Sequence, residues 1–192
     1  MNLTKNDYIT YLLVLVIIIS LGFIGINFTG YVTDTAFLNV TVTSTANINF
    51  TSANITFESG IVTGGKSFAY LDTEGNIVDG SWGVVSSGFV LENIGNVNVT
   101  LNITSSNDAD GCIGGSSPAY RYKISDVETS SCTGGGASSY IPLNETGPVL
   151  ACAIFSYHNT YDSINLDINL TIPNDATLGE LNSTIIAIGT AI

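Results

Sequence analysis

Two stretches of this chain alternate apolar and polar residues with a period of two. Val97, Val99, Leu101 and Ile103 alternate with Asn98, Thr100, Asn102 and Thr104; Ile164, Leu166, Ile168, Leu170 and Ile172 alternate with Asn165, Asp167, Asn169 and Thr171. Successive side chains of a strand point to opposite faces, so each stretch reads as a half-buried strand with one wet face. Leu38, Val40 and Val42 repeat the pattern, as do Ile48 with Phe50 and Ile55 with Phe57. Further strands are predicted over 67–71, 88–92, 119–125, 149–156 and 183–188. Turn formers separate them at Gly64-Gly65, Glu74-Gly75-Asn76, Asp79-Gly80 and Ile94-Gly95-Asn96, and Asn93–Asn96 is expected to close a tight hairpin. About nine short strands with frequent turns predict an all-β domain, a single β-sandwich of jelly-roll or immunoglobulin-like type.

A second feature sets the domain organisation. From Tyr8 to Ile26 no charged residue interrupts an apolar run. As a helix, it would span roughly 28 Å, close to a bilayer's hydrocarbon core. The expected organisation is a short cytoplasmic segment (1–7), a transmembrane signal-anchor helix (8–26), a juxtamembrane linker (27–35) and an extracellular β-sandwich (36–192). Lys5 precedes the span and the next basic residue is Lys66, which orients the sandwich outward. A cleaved signal peptide is the rival, but the run is long for one and its exit lacks a small-x-small site. The expected location is the cell membrane, single-pass, or the cell surface or a filament if the segment is removed.

The exported part draws its polarity from Asn, Ser and Thr. Charged residues are 10% of the 192-residue chain and the net charge is -12, a balance that repels phosphate and disfavours nucleic acid. The four bases, Lys5, Lys66, Arg121 and Lys123, form no patch in sequence. No nucleophile elbow, zinc-protease, P-loop or dinucleotide motif is present, so no catalytic residue is assigned and no enzyme activity is expected.

Three cysteines allow one disulfide. Cys132–Cys152 is the expected pair, tying a Gly-rich loop to an apolar strand, with Cys112 free or the alternative partner of Cys132. Sequons begin at ten asparagines where chance gives about four. Asn2 is expected on the cytoplasmic side and Asn27 against the bilayer; Asn39, Asn49, Asn54, Asn98, Asn102, Asn144, Asn169 and Asn182 are the candidate glycosylation sites. Alternation alone brings Asn and Thr together at i and i+2, and it also points those in strands away from the core. Asp108 and Asp110, ahead of Gly111, form a weak calcium candidate that lacks the full loop pattern and equally suits a polar turn. No other cofactor or metal is expected. Asp72, Glu74 and Asp79 are a second acidic group, and His158 reads as an exposed loop residue. The Gly/Ser-rich stretches 105–117 and 130–139 are predicted loops, suited to binding or to covering the sandwich ends.

The segments TDTAFLNVTVTSTANINF, GFVLENIGNVNVTLNI and INLDINLTIPNDATLGELNSTIIAIGTAI follow the membrane run in that order. In this order of parts, and in TDTA, the Phe89–Asn96 pattern and the Ile172–Gly179 pattern, the chain resembles TasA/camelysin-like jelly-roll proteins and archaeal bundling pilins. That resemblance implies a structural subunit that donates an N-terminal strand, here about Tyr31–Thr43, to a neighbouring copy. The peptidase activity of some camelysin-like proteins finds no motif here. The expected function is thus a structural cell-surface or envelope glycoprotein, in its narrower form a filament subunit assembling by strand complementation, with the bilayer (through 8–26) and copies of itself or other envelope proteins as partners and no nucleic acid. The alternative is an anchored module that binds glycan or protein through its Gly/Ser-rich loops.

Overall fold

A computed structural model describes residues 5–26, 40–135 and 138–192, with side chains of the first helix described as far as Ile19. The expected linker 27–35, the sequons at Asn2, Asn27 and Asn39, and most of the expected donor strand lie outside these residues. The chain divides into Met1–Val42 and Thr43–Ile192. The first unit holds helix α1 (Lys5–Ile26). Among the described residues, no helix is long and apolar enough to cross a membrane.

The second unit is an all-β sandwich. Its strands are β1 (Ile48–Ser52), β2 (Phe68–Asp72), β3 (Ile77–Val78), β4 (Phe89–Asn93), β5 (Val99–Ser105), β6 (Ala119–Asp126), β7 (Cys132–Thr133), β8 (Ile141–Pro142), β9 (Val149–Phe155), β10 (Ser163–Pro173) and β11 (Ile185–Ala191). A single helical turn, α2 (Ala109–Cys112), follows β5. The larger sheet has seven strands in the path β1-β4-β10-β2-β3, with β6 on β10 and β8 on β6; the smaller runs β11-β5-β9-β7. From β4 to β11 every consecutive strand changes sheet.

β10 is the spine of the larger sheet. Ser163–Leu166 pairs with β4, Asn169–Pro173 pairs with β2, and Ile164–Thr171 pairs with β6. The β4 and β2 stretches do not overlap, whereas β6 overlaps both, so β4 and β2 share one edge and β6 takes the other. Between β4 and β2 the edge of β10 would lack partners at Ile168. Thr73 fills that gap: its N–H donates to Ile168 O at 3.0 Å, and its hydroxyl accepts from Ile168 N at 3.0 Å. The same hydroxyl donates to Asp167 at 2.8 Å. Every backbone group of a buried strand needs such a partner.

The core fills the space between the sheets along the alternation. Leu71, Leu91, Tyr122, Ile164 and Leu166 enter from one sheet and Val99, Leu101, Ile103 and Phe155 from the other, all at 0% exposure. Each such aliphatic or aromatic side chain contributes roughly 1.5–3 kcal/mol by leaving water. Asn93 is buried among them and joins the sheets: its Nδ2 donates to Phe155 O at 3.1 Å and to Val97 O at 3.0 Å.

Three expectations need correction. Asn93–Asn96 closes no hairpin, because β4 and β5 lie in different sheets and the turn carries the chain across. The polar side of β10 is not uniformly wet, since Asp167 and Thr171 are buried. A strap causes part of this: Tyr140 donates to Glu74 at 3.0 Å, and Glu74 pairs with Lys123 at 2.6 Å, on the residue opposite Asp167. Burial, then the hydrogen bond to Glu74, pushes the Tyr140 hydroxyl above its ordinary pKa. Finally, Ile55 and Phe57 are half-buried against the core but form no strand.

Two substitutions should move stability in opposite directions. Thr73→Val leaves Ile168 N–H and Asp167 without their partner and should cost roughly 2–4 kcal/mol. Tyr122→Phe removes a buried hydroxyl that has no partner and should gain about 1 kcal/mol. Urea unfolding midpoints measure both.

Candidate functional site

The described sandwich has an open side. β1 ends the larger sheet and β11 ends the smaller, each paired along one edge only. Between them lies a groove of about 410 Å³. Phe50 and the residues Ala53–Thr56 line one wall, Asn182–Ile185 line the other, and Phe89 completes the lining. Phe50 and Phe89 meet edge to face at 5.9 Å. No lining residue is charged. The Ser183 hydroxyl is buried there without a hydrogen-bond partner. Tyr120 is a polar neighbour of it; burial pushes the Tyr120 pKa up to about 12, against the Ser183 hydroxyl, which lowers it. A groove flanked by two unpaired strand edges and holding an unsatisfied hydroxyl offers backbone pairing to an extended segment.

β11 also suits such pairing by composition. Its sequence IIAIGTA has no charge and no proline, the devices that usually blunt an exposed edge. Just ahead of the sandwich unit in sequence, Val40 and Val42 are 70% and 82% exposed and belong to no strand. The alternating segment that carries them is thus unpaired where it is described. It enters the sandwich at Thr43 and Thr45, which Asn96 holds: Nδ2 donates to Thr43 O at 2.8 Å and Oδ1 accepts from Thr45 N at 2.6 Å.

Cys132 and Cys152 form a disulfide between β7 and β9, with their Cα atoms 5.6 Å apart. Cys112 is free and half-buried, and burial raises its thiol pKa. The sequons fall into two groups. Asn49, Asn54 and Asn182 are exposed, while Asn98, Asn102, Asn144 and Asn169 are half-buried. Asn54 and Asn182 stand on the walls of the groove. Asn98 accepts from Tyr157 N at 3.3 Å, and Asn144 accepts from Thr146 of its own sequon at 3.3 Å.

The acidic candidates do not come together. Asp108 caps α2, accepting from Gly111 N at 2.8 Å. Among the described residues no group of three or more potential ligands could hold a metal ion. Asp72 is taken up by its own turn, accepting from Glu74 N at 3.0 Å and Asn76 N at 2.9 Å. Asp79 pairs with Lys66 at 3.0 Å. His158 lies exposed, with Nδ1 3.0 Å from the Thr160 hydroxyl and its ring tilted against Tyr161. The loop after β5 is anchored: Ile113 is 2% exposed, and Asp175 accepts from the Ser116 hydroxyl at 2.6 Å.

The groove itself was not legible in the sequence, since it depends on which strands end which sheet. Asn93 had a local signal: it shares the inward parity of Phe89 and Leu91, and a polar residue at that position marks a buried amide. No family model, curated protein or solved structure matches the chain, so the family resemblance rests on its sequence motifs alone.

Two outcomes are expected in solution. Reducing Cys132–Cys152, which closes a separation of 20 residues, should lower stability by roughly 3 kcal/mol, read as a drop in melting temperature on adding reductant. Asp162 has a raised pKa, first through burial and then through Glu128 and Glu92. Its folded form therefore keeps a proton to higher pH than the unfolded chain, and stability is lost as pH rises through that window. Asp162→Asn should raise the melting temperature at pH 7, and the gain should vanish below the ordinary carboxylate range.

Proposed function

We propose that this chain is a structural cell-surface protein whose copies assemble by strand addition into the groove between β1 and β11. The observation that carries the reading is the pairing of two features: an uncharged groove between unpaired strand edges, and an exposed, alternating apolar segment at Val40 and Val42. The incoming segment of a second copy, centred on 31–43, would lay Leu38, Val40 and Val42 against the groove and pair its backbone with β11. The Ser183 hydroxyl would gain a partner. This is the role that the resemblance to TasA/camelysin-like proteins and archaeal bundling pilins implies.

The same reading gives α1 the part of a membrane anchor. What supports this is the sequence: the run Tyr8–Ile26 is uncharged, and as a helix it would span roughly 28 Å, close to a hydrocarbon core, whereas the part of α1 whose side chains are described ends at Ile19 and is too short to cross by itself. The sandwich is then extracellular, where the disulfide and the exposed sequons fit the compartment. The change of sheet at every step from β4 to β11 favours a jelly-roll over an immunoglobulin-like arrangement, in which consecutive strands pair more often within a sheet.

Val40→Lys with Val42→Lys tests the proposal. Both side chains are exposed in the single copy, so the domain's melting temperature should hold. Assembly should be lost: two valines that no longer bury forfeit roughly 3 kcal/mol, a rise of about a hundredfold in the concentration needed for fibres. Electron microscopy and sedimentation of the full chain measure this, and fibres at the wild-type concentration would refute strand addition by this segment.

A further inference from the structure

The four strands of the smaller sheet, β5, β7, β9 and β11, contain no charged residue. The larger sheet carries Asp72, Glu92, Arg121, Lys123, Asp126 and Asp167. In a chain of net charge -12, this division is consequential, because two copies repel wherever their carboxylates approach. The outer side of the smaller sheet is also apolar beyond what solvation asks. Leu150 is 47% exposed, Ile154 40%, Ile186 43% and Ile188 39%. They are contributed by β9 and β11, which flank β5, and the register sets Asn102 opposite both Ile188 and Leu150. Thr100, Asn102 and Thr104 of β5 fill the centre of the face with side chains that hydrogen-bond without charge.

We propose that this face is a contact between two copies of the chain, smaller sheet against smaller sheet. An uncharged face that exposes apolar side chains in two rows, on β9 and β11, suits burial against another surface, and a two-fold pair is the commonest closed arrangement. Packing through the uncharged sheet turns the carboxylates of both larger sheets outward, away from each other. No other face built from these strands does so. The contact lies beyond the strand-addition reading and does not depend on it, since it uses the broad face of the sheet and leaves the β11 edge and the groove free. A glycan on Asn102 would stand in the middle of the face, so glycosylation there and pairing of copies exclude each other.

Cross-linking of the full chain tests this, in detergent and from a host that adds no N-glycans. In a Cys112→Ser background, Asn102→Cys places a thiol at the centre of the face. Asn49→Cys places one on the outer side of the larger sheet, opposite Glu92. Mild oxidation should give disulfide-linked dimers several-fold more abundantly from Asn102→Cys, and more with added salt, which screens the net charge. Adding Leu150→Asp should cut that yield tenfold or more, by roughly the cost of an unpaired buried charge. Ile188→Lys should act alike, and unchanged melting temperatures show that both variants fold. Equal yields from Asn102→Cys and Asn49→Cys, or a yield indifferent to both Leu150→Asp and Ile188→Lys, would overturn the proposal.

Discussion

The sandwich depends on one strand serving three partners. β10 spans Ser163–Pro173 and holds β4, β2 and β6 together. A strand that is paired along both edges and covered on both faces has no solvent to satisfy its backbone, so each N–H and C=O must be met from within. Thr73 supplies the partners where two neighbouring strands end and begin. Through its hydroxyl it also satisfies Asp167, a buried carboxylate. Without that junction Ile168 would have no backbone partner on the edge that β4 and β2 share, and β6 alone would bridge the two halves of the sheet.

The edges follow from the same topology. Because the chain changes sheet at each step from β4 to β11, its strands pair with residues distant in sequence. β1 and β11 end their sheets and are each paired along one edge only. The disulfide ties β7 to β9 at the opposite side of the smaller sheet, so the side bearing β11 has no such covalent brace. An open edge is a hazard for a monomer and an opportunity for an assembling protein. Here it coincides with an uncharged groove and an uncharged sheet, in a chain whose net charge otherwise holds copies apart.

Much of this was legible in the residues. The alternation placed β5 and β10 within a few residues of their bounds, the strands expected at 119–125 and 149–156 match β6 and β9, and the outward parity of Asn102 holds in the burial of Val99, Leu101 and Ile103. The pairing of Cys132 with Cys152 followed from one cysteine lying in a loop and the other in an apolar strand. What local pattern does not encode is which strands are neighbours. A turn such as Asn93–Asn96 has the same chemistry whether it folds a hairpin or crosses between sheets. Asp167 likewise sits at a polar position of an alternating strand, and only long-range packing with Thr73 and the Tyr140 strap decides that it is buried. Short strands such as β3, β7 and β8 carry too few residues for a period to register.

Hydrogen exchange on the full chain, before and after self-assembly, tests the central claim most directly. Strand addition predicts that outward amides of β11 and of the segment 40–43 exchange fast in the dispersed protein and become protected together in the assembled one, while β10 stays protected throughout. Assembly that leaves the β11 amides as exchangeable as before would contradict the account.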